Sequence, residues 1–97
     1  MQELLIVYVY IITNKSNSVL YIGVTNDIHR RLIEHKLGIN DSFSKRYSLD
    51  KLVYCEKYDS PEDAILREKQ LKGWVRKKKN NLIEAVNPDW NDLSEQY

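Results

Sequence analysis

Residues 4–13 leave little room for a wet face. Leu4, Leu5, Ile6, Val7, Val9, Ile11 and Ile12 are interrupted only by Tyr8 and Tyr10 before Thr13. A near-continuous run of β-branched and aromatic residues without Gly or Pro predicts a strand covered on both faces. Asn14-Lys15-Ser16-Asn17-Ser18 is turn chemistry, and residues 19–25 predict the second strand of a hairpin. Asn26 or Asp27 then caps a helix in which Ile28, Leu32 and Ile33 lie at helical spacing and Gly38 is the stop. Residues 38–50 read as a polar loop anchored by Phe43 and Tyr47, and residues 51–58 as a third strand. Ser60-Pro61-Glu62-Asp63 is a helix start: a capping hydroxyl, proline in the first turn, and acids against the positive end of the helix dipole. That helix carries Ala64, Ile65, Glu68 and Leu71 and ends near Gly73. A last helix over residues 76–86 stops at Asn87-Pro88. The order ββα-β-αα predicts an α/β (α+β) domain, a small three-stranded antiparallel sheet flanked by helices.

A chain of 97 residues accommodates a single core, expected over residues 7–86 with an acidic tail at 87–97. Its one cysteine, Cys55, sits in an apolar run; it excludes an internal disulfide and a cysteine-based zinc site and fits a reducing, cytoplasmic setting. The apolar N-terminus contains Glu3, has no basic leader and is too short to span a bilayer, so no membrane partner is expected. The net charge of +1 hides a polarised chain. Residues 67–79 hold seven basic residues against one acid, Glu68, whereas residues 84–97 hold four acids and no Lys or Arg. A basic run is either a solvated helix face or a phosphate-binding surface.

Two short motifs point to the second option. Tyr8-Val9-Tyr10 is followed by Tyr21-Ile22-Gly23, and then by Asp27, Arg31 and His35. This Y-I-G-x-T-x-D…R-R-x-x-x-H pattern resembles the GIY-YIG nuclease family, over roughly residues 7–90, and within it a subgroup of small free-standing bacterial proteins. Tyr8 and Val9 depart from the family's Gly and Ile, but Tyr10 keeps the ring that ends the first triplet. Val24 stands where some members carry a lysine.

The resemblance implies metal-dependent hydrolysis of phosphodiester bonds in nucleic acid, DNA more than RNA. Tyr10 and Tyr21 match the family tyrosines, either of which could activate the water. Gly23 gives room for substrate backbone or a sharp strand exit. Arg31 matches the arginine that stabilises transition-state charge; its fork suits a phosphate. His35, four residues on, shares its helix face, whereas Arg30 is expected in solvent and His29 off that face. Glu68 matches the metal-binding glutamate, and one carboxylate plus waters and phosphate oxygens suits Mg²⁺ or Mn²⁺. Lys72, Arg76, Lys77, Lys78 and Lys79 are the expected nucleic-acid-binding residues, and either Asn80 or Asn81 matches a family asparagine. A catalytically weak or inactive nucleic-acid-binding module is the alternative, because the chain brings no second domain to confer specificity.

Overall fold

The structure, a computed structural model, describes residues 5–39 and 42–97. Strand β1 (Val7–Thr13) lies between β2 (Leu20–Thr25) and β3 (Lys51–Tyr58), antiparallel to both. Its apolarity explains the central place: six of its seven residues are buried. The expected start at Leu4 falls outside the described residues. Leu5 and Ile6 precede the strand and are 52% and 42% exposed. The ladder begins where the neighbours end, with Val7 opposite Tyr58 and Tyr8 opposite Thr25.

Alternation along β1 separates two apolar layers. Val7, Val9 and Ile11 pack with Ile22, Val53, Ala64, Leu71 and Ile83, under helices α3 (Pro61–Lys72) and α4 (Arg76–Val86). Tyr10 and Ile12 pack on the opposite face with Ile28, Leu49 and Leu52, under α1 (Ile28–Leu37). The helix signals act as expected: Asp27 Oδ1 accepts from the Arg30 amide at 3.0 Å, and Ser60 Oγ from the Asp63 amide at 3.4 Å. Gly38 closes α1 at φ 72°, the left-handed region open to glycine.

Two details differ from the sequence reading. Residues 38–50 are more than a loop: they contain a helix, α2 (Ser42–Tyr47). Its anchors are Ser44 and, just beyond, Leu49, both fully buried, whereas Phe43 and Tyr47 are 44% and 36% exposed. A six-residue helix that buries a serine has no apolar period to read. On α3, Ala64 and Leu71 are buried but Ile65 faces outward. The acidic C-terminal segment folds back: the Leu93 amide donates to the Leu52 carbonyl at 2.7 Å, and the Leu52 amide donates to Asp92 Oδ1 at 3.2 Å.

A charged cluster fastens α3 to the sheet. Arg67 Nε donates to Glu56 Oε1 at 3.1 Å and Nη2 to Oε2 at 3.1 Å. The hydroxyls of Tyr54 and Tyr58 donate to the same carboxylate. Burial alone would push Glu56 up, but the Arg67, Tyr54 and Tyr58 hydrogen bonds outweigh it and hold the carboxyl below its usual range. The Tyr54 phenol is raised, first by burial and then by Glu56. No helix among the described residues is long and apolar enough to cross a membrane.

Candidate active site

The site grows from Tyr10. On the central strand its ring enters the α1 layer, 1% exposed. There the neighbouring strand offers Gly23, its partner in the ladder. A Cβ on Gly23 would lie 2.6 Å from Tyr10 Cζ. The space expected for substrate backbone or a sharp strand exit is occupied by the Tyr10 ring. Tyr21, two residues away on β2, stacks beside Tyr10 with ring centroids 6.3 Å apart and planes 27° apart.

Helix α1 brings the polar partners. Spacing by four places Arg31 and His35 on one face, and that face looks at the tyrosines. Arg31 Nε donates to the Tyr10 hydroxyl at 3.3 Å, and His35 Nε2 lies 2.8 Å from the same oxygen. His35 is 1% exposed, its ring edge-on to Tyr21 at 4.8 Å. Nδ1 lies 2.6 Å from Ser44 Oγ, a partner supplied by α2. Arg31 Nη1 also pairs with Glu34 Oε1 at 3.2 Å. Burial would lower the Arg31 guanidinium, but hydrogen bonding and charge from Tyr10, then Tyr21 and Glu34, hold it above its ordinary value. It is a permanent cation braced by two phenols. Arg30 faces solvent, with a 59% exposed side chain 3.8 Å from Glu34.

Beside this cluster a cleft of about 340 Å³ runs along the outer strand β2, lined by Leu20, Tyr21, Ile22, Phe43, Lys72 and Lys79. Tyr21 belongs to both cluster and cleft. Glu68 adjoins through Lys72: its carboxylate lies 3.6 Å from Lys72 Nζ, and its side chain is 20% exposed against 55% for the lysine. Among the described residues no three His, Cys, Asp or Glu side chains gather in a metal-binding group. One half-buried carboxylate fits an Mg²⁺- or Mn²⁺-type ion that keeps most of its waters, and does not fit a dedicated protein cage.

The basic run divides by partner. Arg76 donates to the carbonyls of Asn17 and Ser18 in the β1–β2 turn and to Asn80 Oδ1. Lys78 Nζ sits 4.3 Å from the centroid of the Trp74 ring. Lys77 is exposed, and Lys72 and Lys79 line the cleft. Asn80 is half-buried and Asn81 exposed. The sequence reading missed Glu34 and Ser44. A glutamate three residues after Arg31 was a readable ion-pair signal; a serine in an apparent loop was not.

A hairpin tyrosine whose hydroxyl meets an arginine and a histidine from one helix, with a second hairpin tyrosine stacked beside it, agrees with a nuclease domain of the GIY-YIG class. The model of the GIY-YIG catalytic domain matches residues 6–81, and the chain belongs to this family. It is 38% identical over 76 residues to a UPF0213 protein of Staphylococcus saprophyticus, covering 78% of this chain and 92% of that one. It is 36% identical over 77 residues to a UPF0213 protein of Haloquadratum walsbyi, covering 79% and 85%. The solution structure of the UPF0213 protein BH0048 from Bacillus halodurans superposes with a TM-score of 0.57 at 29% identity, covering 90% of this chain and 92% of that one. Membership carries nuclease-type chemistry on nucleic acid and the family's general use of divalent metal ions.

Proposed function

We propose that the domain is an endonuclease that hydrolyses phosphodiester bonds in nucleic acid, DNA before RNA, by in-line attack of water. The observation that carries this reading is the convergence of Tyr10, Tyr21, Arg31 and His35 beside a cleft bordered by Lys72 and Lys79.

We assign the general base to Tyr21. It lines the cleft, whereas Tyr10 is 1% exposed and its hydroxyl is engaged by Arg31 and His35. Arg31 is hydrogen-bonded to Tyr21, which sets the base beside the guanidinium that would meet the phosphate. In this reading Arg31 exchanges its contact with Glu34 for a phosphate oxygen and stabilises the charge that grows there during attack. Tyr10 and His35 hold Arg31 and Tyr21 in place. Glu68 is the residue that would hold a divalent ion, which when bound supplies charge stabilisation at the leaving oxygen. Lys72 and Lys79 draw the backbone into the cleft.

The test is cleavage of a panel of linear, single-stranded and branched DNA and RNA with Mg²⁺ or Mn²⁺. Arg31→Ala and Glu68→Gln serve as inactive controls. Metal-dependent cutting by the wild type alone supports the reading. Equal cutting by all three proteins would mark a contaminant. Binding without cutting would leave a nucleic-acid-binding module, the second reading, favoured by the pairing of Glu68 with Lys72.

A further inference from the structure

We propose that Ser44 is a positioning residue of this site: it holds the His35 imidazole with its hydrogen on Nδ1, so that the Nε2 lone pair faces Tyr10. Its consequence for cleavage rests on the endonuclease reading; the tautomer itself does not.

Ser44 is fully buried on a six-residue helix, where a hydroxyl is costly unless bonded. Its Oγ lies 2.6 Å from His35 Nδ1, itself on a ring 1% exposed. The hydrogens along the chain of contacts then follow in order. Arg31 Nε can only donate, so the Tyr10 oxygen accepts from it. With Tyr10 directing its own hydrogen to Nε2, 2.8 Å away, Nε2 is the acceptor nitrogen. A neutral imidazole accepting at Nε2 carries its hydrogen on Nδ1 and donates it to Ser44 Oγ. In this arrangement the direction is uniform, from Arg31 through Tyr10 and His35 to Ser44. Reversal would set two N–H groups against the Tyr10 oxygen and turn the phenol hydrogen away from the imidazole.

What Ser44 fixes is the geometry of its neighbours. The His35 ring packs against Tyr21 at 4.8 Å and Tyr10 at 5.6 Å, and Tyr10 in turn fixes Nε of Arg31. An imidazole free to turn over or change tautomer would loosen the base and the phosphate fork together.

The experiment is ¹⁵N NMR of the histidine rings in the full chain at about pH 8, where histidine is ordinarily neutral. Wild type and Ser44→Thr are expected to show His35 with Nδ1 protonated and Nε2 bare. Ser44→Ala is expected to show averaging or a hydrogen on Nε2. Cleavage by Ser44→Ala should fall by roughly 10–100-fold while oligonucleotide affinity stays the same, and Ser44→Thr should recover most of the loss. A hydrogen on Nε2 in the wild type overturns the inference, as does a Ser44→Ala protein with the wild-type tautomer. The spectrum decides this whether or not the wild type cuts, so failure of the endonuclease reading and failure of the Ser44 role give different results. Thermal unfolding of both variants guards against a folding defect.

Discussion

At the scale of single residues, two adjacent arginines separate function from solvation. Arg31 and Arg30 differ by one helix position, yet Arg31 Nε meets Tyr10 while Arg30 is 59% exposed. Arg31→Ala is therefore expected to slow single-turnover cleavage by on the order of 10²–10³, and Arg30→Ala to leave it near wild type. Equal losses would mean a diffuse phosphate patch in place of a site. Gly23 makes a second case. Alanine there puts a methyl 2.6 Å from Tyr10 Cζ, on a ring that Arg31 and His35 already hold. The phenol or the strand must shift, which strains both contacts. Gly23→Ala should lower stability by about 1–3 kcal/mol, as overpacking does, and remove cleavage as well. A variant with wild-type melting temperature and rate would show that the ring yields freely.

At the scale of elements, α3 and α4 set the lysines at different tasks. Arg76 fastens the hairpin turn and Lys78 covers Trp74, which leaves Lys72 and Lys79 at the cleft and Lys77 outside it. If each cleft lysine neutralises one phosphate, Lys79→Gln should flatten the log–log salt slope on duplex DNA by about 0.9. Lys77→Gln should change it far less, and binding titrations at several salt concentrations decide between them. An effect of Lys77 as large as that of Lys79 would return the whole run to the phosphate surface expected from the sequence. The elements themselves were legible because each carries a local signal: β-branched runs, Asp27 and Ser60 as caps, Gly38 and Pro88 as stops. The pairing of Arg31 with His35 was legible as helical spacing. Helix α2 was not, because its burial of Ser44 answers to a histidine nine residues earlier and leaves no periodic trace. The role of Gly23 was hidden for the same reason: it depends on which ring stands across the ladder.

For the whole molecule, the Glu56 cluster joins β3 to α3 and makes stability depend on pH. Its carboxyl is held below the ordinary value by Arg67, Tyr54 and Tyr58 against the opposing pull of burial. A depressed carboxylate contributes fully above the unfolded-state value near ~4.3. The contribution is lost as pH falls through the folded value below it. Glu56→Gln should cost roughly 1–3 kcal/mol at neutral pH by leaving Arg67 and the phenols poorly matched. It should also remove part of the acid limb, so that wild type and variant converge as pH falls through the depressed folded value of Glu56; thermal melts from neutral pH into the acid range measure both effects. A parallel offset at every pH would show that the carboxylate's charge is irrelevant. The position of β1 between two neighbours has its own consequence, in time. Its partner on one side follows after a six-residue turn, but Val7 must wait for Tyr58 on the other. Closing that long loop carries an entropic cost before any contact rewards it, so β3 docking, rather than hairpin formation, sets the pace of folding. Until it docks, the most apolar strand of the chain presents an unpaired edge, the template on which chains aggregate. The hazard therefore belongs to the growing and refolding chain, and it ends when β3 arrives.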